Sequence, residues 1–297
     1  MPEKPKTSNG LPSTDPLAKA LRFMVRIFGF RRFRPGQEEV LESVLSGDDT
    51  LVIMPTGGGK SLGYQVPAFL RPGLTLVISP LIALMKDQVD SLRVLDLPAA
   101  AIHSLMSLRE QEQAIKGIES GEVRLLYVSP ERLHSRVFLD ALRRTTVSMV
   151  AVDEAHCISQ WGHDFRPDYL RIGRALDRLG RPQTIALTAT ATERVRSDII
   201  EQLGLRRPRQ FIAGFDRRNL FWEVISTENE DEKMVALRER LAGLNGATIV
   251  YTGTRNSVER LVKKLQRLGF KPAGYHAGMD EAERIRVQEM FMEGRLD

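Results

Sequence analysis

A glycine-rich loop between a predicted strand and a predicted helix is the feature that most constrains the fold of this chain. The apolar run 51–54 predicts a buried strand, and a helical pattern begins at Leu62. Between them lies the sequence PTGGGKS, residues 55–61. Its glycines let backbone N–H groups approach an anion, and the helix N-terminus adds partial positive charge. The arrangement predicts a phosphate-binding loop at the carboxyl end of a parallel strand.

The loop also carries the side chains that nucleotide chemistry needs. Lys60 would reach the β- and γ-phosphates, and the Ser61 hydroxyl would ligate Mg²⁺. The strict pattern G-x-x-x-x-G-K-S/T has glycine where Met54 stands, so the loop is a variant, and a chance run of glycines is the alternative. The flanking strand and helix disfavour that alternative. We assign the nucleotide cradle to Thr56, Gly57, Gly58, Gly59, Lys60 and Ser61.

Two adjacent carboxylates follow another apolar run. Residues 147–152 predict a buried strand, and Asp153 and Glu154 come at its carboxyl end, where open α/β sheets bind ligands. Asp153 would hold Mg²⁺ through water, and Glu154 would orient and deprotonate the water that attacks the γ-phosphate. His156 would sense the γ-phosphate or only pack locally. Solvated acids at a strand end are the alternative. The predicted catalytic residues are Lys60, Asp153, Glu154 and His156, with Ser61 and Asp153 as metal ligands.

A polar loop that begins just after this segment contains two aromatic side chains. The sequence QWGHDFRPDY, residues 160–169, is called the aromatic loop below. One of the chain's two Trp residues, Trp161, lies in it with Phe165 and Arg166. Core packing is the usual use of such side chains, but a polar loop favours stacking on nucleic-acid bases. We therefore predict that Trp161, Phe165 and Arg166 bind nucleic acid.

Strand-like and helical runs alternate along most of the chain, which predicts an α/β fold with a parallel sheet covered by helices on both faces. A helix capped by Asp15 is predicted to run to Gly29, and another follows Pro35. The tail 1–14 has little to bury and is expected to be disordered. The basic stretch 205–216 interrupts the alternation, so we expect one domain over 15–213 and a second over 214–297. The predicted strands are 51–54, 74–79, 125–129, 149–153 and 184–188 in the first domain, and 221–225, 248–251 and 273–275 in the second.

Composition narrows the classes of protein further. The net charge of +5 is compatible with a polyanionic partner but does not require one. A single cysteine, Cys157, excludes an internal disulfide framework and a cysteine-rich zinc site, and a small buried residue is its simplest interpretation. No apolar stretch approaches the ~20 residues of a membrane span, and the N-terminus lacks the apolar core of a signal peptide. We expect a cytoplasmic protein that does not act at a membrane.

Several segments together resemble the RecQ family of DNA helicases. They are DEAH (153–156), MPTGGGKS (54–61), SPLIALMKDQV (79–89), YVSPERL (127–133), LTATAT (187–192), the aromatic loop, and FGFRRFRPGQ (28–37). The resemblance extends from about Leu17 to the end of the chain. It implies a RecA-like P-loop domain followed by a second RecA-like domain, ATP and Mg²⁺ as cofactors, and 3′ to 5′ movement on DNA. The second domain is expected to be incomplete, without the later arginine that would contact the γ-phosphate and without the family's zinc-binding region.

The resemblance also implies roles for individual residues. Gln37 should bond the adenine edge, Phe30 should stack on the base, and Arg34 should help to hold the nucleotide. Phe30 replaces a Tyr that is common in the family, and it could instead pack in the core, while Gln37 could instead cap a helix. Lys86 could simply be a solvated helix residue. Thr188, Ala189 and Thr190 would transmit nucleotide state between the domains. The residues implied to contact DNA are Ser79, Lys86, Gln88, Trp161, Phe165, Arg166 and Arg255.

Two functions of different classes follow. The first is an ATP-hydrolysing helicase that moves along single-stranded DNA and unwinds tailed duplexes. The second is a module that binds ATP and DNA without productive turnover. A P-loop kinase or GTPase is disfavoured because the aromatic loop and the segment 28–37 would have no role in it. The sequence does not indicate protein partners.

Overall fold

The structure is a computed structural model that describes residues 15–104, 106–162, 164–214, 220–244 and 246–296. The predicted disordered tail, residues 1–14, lies outside these ranges. The chain divides into two compact units, residues 1–217 and 218–297. Within the described residues, no helix is both long and apolar enough to span a membrane.

The first unit contains a seven-stranded sheet in which every neighbouring pair is parallel. The order of strands across the sheet is β3-β4-β2-β5-β6-β1-β7. Because β1, β6 and β5 are parallel neighbours, the loops that follow them lie close together at the carboxyl ends of the strands. The strands are β1 Thr50–Ile53, β2 Leu74–Ile78, β3 Ala99–Ile102, β4 Leu125–Val128, β5 Val147–Val152, β6 Gln183–Thr188 and β7 Arg209–Ile212.

Helices cover both faces of this sheet. One face packs against α2, α3 and α4 through residues such as Val40, Tyr64 and Met85, and the other packs against α5 to α8. Alternate residues of one strand, Leu51 and Val52, point to opposite cores, as the two-residue period of a strand requires. The helices of this unit are α1 Pro16–Phe23, α2 Gln37–Ser46, α3 Leu62–Leu70, α4 Ile82–Val94, α5 Leu108–Glu119, α6 Arg136–Arg143, α7 Ile172–Arg178 and α8 Glu193–Leu203.

The first helix begins and ends where its sequence predicts. The Asp15 carboxylate accepts a 2.9 Å hydrogen bond from the Leu17 N–H, with Pro16 in the first turn. A π-helical turn, Met24–Phe28, continues α1, and Gly29 ends it with a φ of 73°. That left-handed backbone conformation favours glycine.

Two strands of the first unit were not predicted. Strand β3 is short and rich in alanine, a residue with low strand propensity, so its sequence gives a weak signal. Strand β7 lies inside the basic stretch 205–216, which we expected to interrupt the alternation. It pairs with β1 at the edge of the sheet, where charged residues such as Arg209 are tolerated because one side of an edge strand faces solvent.

The second unit differs more from expectation. It contains α9 Glu230–Ala242, α10 Arg255–Arg267 and α11 Glu281–Met292. None of the predicted strands 221–225, 248–251 and 273–275 is assigned as a strand there, and Trp222 and Tyr251 are exposed. The apolar composition of these segments indicated burial, but a strand also requires a hydrogen-bonded neighbour. Within the described part of this unit, Leu265 is the one buried apolar side chain, at 5% exposure.

Candidate nucleotide and nucleic-acid site

The loop between β1 and α3 has the backbone geometry of an anion cradle. Gly57 and Gly59 have φ values of 81° and 78°, which L-side chains rarely adopt. The Gly58 N–H donates to the Pro55 carbonyl at 3.0 Å and closes a tight turn. The Lys60 ammonium donates to the Met54 carbonyl at 2.9 Å and therefore lies back across the loop. Left-handed glycines in a tight turn before a helix are backbone features that a phosphate-binding loop requires.

Gln37 connects the start of α2 to this loop. Its side-chain oxygen accepts a 2.8 Å bond from the Arg34 N–H, and its amide donates to the Gly59 carbonyl at 3.2 Å. The side chain makes no capping bond in α2, so the helix-capping alternative is not realised. Arg34 also donates to the Gly57 carbonyl. Both predicted nucleotide-binding side chains thus fix the position of the phosphate loop itself.

A small cavity lies beside Gln37. It has a volume of about 210 Å³, and its lining includes Phe30, Arg34, Gln37, Ser61 and Gln65. Phe30 stacks on Phe28 with 6.3 Å between ring centroids, yet 43% of Phe30 remains exposed. An aromatic side chain with that exposure is not part of the core, so an open ring face is available to a planar base.

The two acids lie at the carboxyl end of β5, next to β6. Burial, together with the charge of the neighbouring Glu154, raises the pKa of Asp153 to about 6. Glu154 has a φ of 47°, a left-handed conformation that is unusual for a residue with a side chain and recurs at functional sites. A cation beside Asp153 would relieve both the burial of its charge and the repulsion from Glu154.

His156 joins the DEAH segment to the end of β6. Its Nδ1 atom lies 2.8 Å from the Thr188 Oγ1 and 3.3 Å from the Glu154 Oε2. The ring is buried. A change in the position of Glu154 would therefore be transmitted to Thr188 through the His156 side chain.

Two hydrogen bonds from the second half of the aromatic loop attach it to the DEAH segment and to Cys157, the residue that follows DEAH. The Tyr169 hydroxyl donates a 2.8 Å bond to the Asp153 carbonyl, and the Arg166 N–H donates a 2.9 Å bond to the Cys157 carbonyl. Tyr169 is fully buried, so this attachment is protected from water. The Arg166 guanidinium bonds Asp164 at 2.9 Å and the Pro80 carbonyl at 3.3 Å. It thereby links the loop to the segment that precedes α4.

Trp161 lies at the surface of the loop, with 61% of its area exposed. The Arg194 guanidinium of α8 lies 3.5 Å from the centroid of its ring. Ser159, just before the loop, accepts from the Trp161 N–H at 3.2 Å and donates to the Asp198 carboxylate of α8. The exposure of Trp161 argues against the core-packing alternative.

The other residues that are predicted to contact DNA differ in how exposed they are. Lys86 is exposed on α4, Phe165 is half-buried, and Gln88 accepts a 2.8 Å bond from the Gln65 amide. Ser79, which follows β2, is only 2% exposed. Arg255 is the exposed first residue of α10, in the second unit.

Sequence reasoning did not identify several residues that connect these parts. The sequence identified Tyr169 only as the last residue of the aromatic loop, and no local signal predicts that its hydroxyl bonds the Asp153 carbonyl. Arg194 is one of several charged residues on α8, a pattern that usually indicates a solvated face. Gln65 donates to both Gln88 and the Tyr127 hydroxyl, at 2.8 and 3.0 Å, from a helix that otherwise buries apolar side chains.

Comparisons with known proteins identify the fold and the family of this chain. The DEAD/DEAH box helicase family model matches residues 34–199, more than half of the chain. The solved structure of the Mycobacterium smegmatis helicase Lhr bound to ssDNA and AMP-PNP is 21% identical, with a TM-score of 0.68 over 95% of this chain and 41% of that one. The DUF1998 helicase MrfA bound to DNA and AMPPNP is 19% identical, with a TM-score of 0.72 over 96% and 43%. These likenesses confirm the predicted α/β fold of RecA-like helicase cores.

Curated relatives are more similar in sequence. The ATP-dependent DNA helicase RecQ of Haemophilus influenzae is 43% identical over 272 residues, which span 92% of this chain and 44% of the relative. That of Bacillus subtilis is 42% identical over 285 residues, or 94% and 47%. The chain thus spans less than half the length of these relatives. It belongs to the DEAD/DEAH box helicase family, and the relatives named here are RecQ DNA helicases.

Proposed function

We propose that this chain is the motor part of a RecQ-type DNA helicase, which couples ATP hydrolysis to 3′ to 5′ movement on single-stranded DNA. The single observation that carries the proposal is the attachment of the aromatic loop to the catalytic acids. The Tyr169 hydroxyl bonds the Asp153 carbonyl at 2.8 Å, so a loop suited to bases and a loop suited to phosphates share one buried connection. Residues 15–213 would form the ATP-binding domain, and residues 214–297 would belong to the helicase C-terminal domain.

The phosphate loop would bind ATP through its backbone and through Lys60. The N–H groups of residues 57–61 and the Lys60 ammonium would neutralise the phosphates, and Gln37 with Phe30 would hold the adenine beside the 210 Å³ cavity. Glu154 would accept a proton from the water that attacks the γ-phosphate. The left-handed backbone at Glu154 fixes the direction in which that carboxylate leaves the strand.

The donor set at the acids fits Mg²⁺. No cluster of three or more His, Cys, Asp or Glu side chains suited to a metal occurs among the described residues. Asp153 and the Ser61 hydroxyl are hard oxygen donors, and Mg²⁺ usually takes few protein ligands and keeps waters and phosphates. Bound there, Mg²⁺ would neutralise charge that develops on the phosphates. Burial of Asp153 beside Glu154 leaves negative charge that such a cation would balance.

On the DNA side, Trp161 and Phe165 would stack on bases, and Lys86, Arg166 and Arg255 would face phosphates. Single strands and the tails of partly duplex DNA expose unstacked bases, so they are the proposed ligands. Since both proposed substrates occur inside cells, we also propose a cytoplasmic location.

ATP turnover with and without oligo(dT) tests the proposal. We expect the chain 1–297 to hydrolyse ATP faster when oligo(dT) is present, and we expect Lys60→Ala to abolish that turnover while oligo(dT) binding persists. Lys116→Ala, which removes an exposed lysine from α5, is the matched control and should behave like the parent. Turnover that survives in Lys60→Ala would refute the assignment of the phosphate loop.

The same assay separates the enzyme from the alternative, a binding module. A parent chain that binds ATP and oligo(dT) but shows no turnover above the Lys60→Ala background would establish the binding module for this part of the protein. A turnover that oligo(dT) stimulates would establish the motor.

A further inference from the structure

We propose that Arg194 is a further DNA-binding residue, which supports one face of Trp161 and contacts the phosphate next to the base that stacks on the other face. The inference rests on the proposed function, because it assumes that the aromatic loop receives single-stranded DNA. It concerns a helix, α8, to which neither the sequence motifs nor the predicted DNA contacts assigned such a role.

The geometry of the pair is the first argument. The Arg194 guanidinium carbon lies 3.5 Å from the centroid of the Trp161 ring, close enough for a cation–π contact. Even with this neighbour, 61% of Trp161 is exposed. One ring face is therefore in contact with a cation, and the rest of the side chain is open to solvent and to a base.

The second argument is that α8 holds the loop at two points. Arg194 and Asp198 are four residues apart and so lie on the same face of the helix. Arg194 contacts Trp161, and Asp198 accepts a hydrogen bond from Ser159, whose hydroxyl in turn accepts from the Trp161 N–H. The side chain and backbone of Trp161 are thus both positioned from α8, which reduces the entropy lost when a base stacks.

The third argument is the charge of Arg194. Its neighbouring acids have other partners, since Glu193 pairs with Arg196 at 3.4 Å and Asp198 accepts from Ser159. Among the residues that the structure describes, no carboxylate forms an ion pair with Arg194, which is exposed. Arg194 can therefore contact a phosphate without breaking an ion pair, whereas Arg166 would have to share its guanidinium between Asp164 and a phosphate.

A nucleotide that stacks on the other face of Trp161 would bring its phosphate past the rim of the ring, where the Arg194 guanidinium that covers the first face would contact it. Aromatic stacking and a phosphate contact by arginine are the two elements from which single-strand binding sites are built. The pair therefore supplies both elements within one short segment of surface.

The two tryptophans of the chain allow a direct test. Trp222→Phe leaves Trp161 as the sole indole, and stacking of a base should quench its fluorescence. In this background we compare Arg194→Met with Arg194→Lys. The control is Arg178→Met, which removes the last residue of α7. Arg178 comes shortly before the amino-terminal end of β6, whereas Arg194 follows the carboxyl end of that strand. Circular dichroism confirms the fold of each variant.

We expect Arg194→Met to weaken oligo(dT) binding roughly threefold to tenfold and to reduce the slope of log K against log salt concentration by about 0.7, the value for one contact with single-stranded DNA. Arg194→Lys should keep the slope, because it keeps the charge, and Arg178→Met should change neither quantity. Unchanged or tighter binding in Arg194→Met, with quenching intact, would overturn the role of Arg194 and leave the proposed function standing. Absence of quenching in the parent would instead reject the aromatic loop as the binding site, and this inference with it.

Discussion

The His156 Nδ1 and the Thr188 Oγ1 lie 2.8 Å apart, so the DEAH segment and the end of β6 are joined by one buried hydrogen bond. Thr188 also donates to the Thr190 carbonyl at 3.1 Å and so holds the turn that precedes α8. Because α8 in turn contacts Ser159 and Trp161, the nucleotide site and the aromatic loop are connected by a second route besides Tyr169. Three links of that route are pairs of side chains that mutation can separate: His156 with Thr188, Ser159 with Asp198, and Trp161 with Arg194.

Thr188→Val should weaken the stimulation of ATP turnover by DNA. Valine has the shape of threonine but no hydroxyl, so His156 loses its partner on β6. We expect basal turnover to change little and stimulation by oligo(dT) to fall about fivefold, which corresponds to the ~1 kcal/mol of one hydrogen bond. Thr184→Val, at the other end of the same strand, is the control, and equal losses in the two variants would rule out a specific role for Thr188.

Glu154→Gln should bind ATP and fail to hydrolyse it. Glutamine keeps the size of the side chain and one acceptor oxygen but cannot accept the proton of the attacking water. Turnover should fall by ~10² to 10⁴, the usual contribution of a general base, while the Kd for ATP changes little. Glu119→Gln, an exposed acid of α5 that pairs with Arg144, is the control. Turnover near the parent value would remove Glu154 from the mechanism.

How much of the fold and of the candidate site could be predicted from the sequence depends on how local each feature is. The phosphate loop was predictable because Gly57 and Gly59 satisfy a steric requirement of the turn itself. The position of Asp153 followed from the apolar strand before it. Strand β7 was missed because its Arg209 and Gln210 look like a polar connection, and only its pairing with β1 makes it a strand.

Contacts between distant residues were not predictable from one sequence. Arg194 and Trp161 are separated by a helix and a strand, and their approach depends on β6 lying beside β5 in the sheet. The burial of Ser79 has the same origin, because a residue at the end of an internal strand is covered by its neighbours. Local propensity carries no information on either point.

Cys157 should be almost unreactive in the folded chain. The side chain is 1% exposed, and burial raises the pKa of its thiol to about 12, with the Asp164 charge acting in the same direction. Only the thiolate reacts, so at pH 8 the reactive fraction is ~10⁻⁴, compared with about a quarter for a free cysteine. The rate should rise about tenfold per pH unit towards the pKa. Release of thionitrobenzoate from DTNB measures it, and fast labelling at pH 8 without urea would contradict the burial of this thiol.

Asp49→Ala should destabilise the first unit more than any exposed acid would. The Asp49 carboxylate is 6% exposed and accepts bonds from the Thr184 N–H at 2.9 Å and the Arg206 N–H at 2.7 Å, and so ties β1 to β6 and to the segment before β7. Alanine would leave these donors without acceptors, at a cost of roughly 3 kcal/mol in the free energy of unfolding. Asp48→Ala removes an exposed neighbour that contacts Arg209 only at 3.8 Å, which should cost less than about 1 kcal/mol. Urea unfolding followed by circular dichroism compares the two, and equal midpoints would show that the buried carboxylate does not hold these strands together.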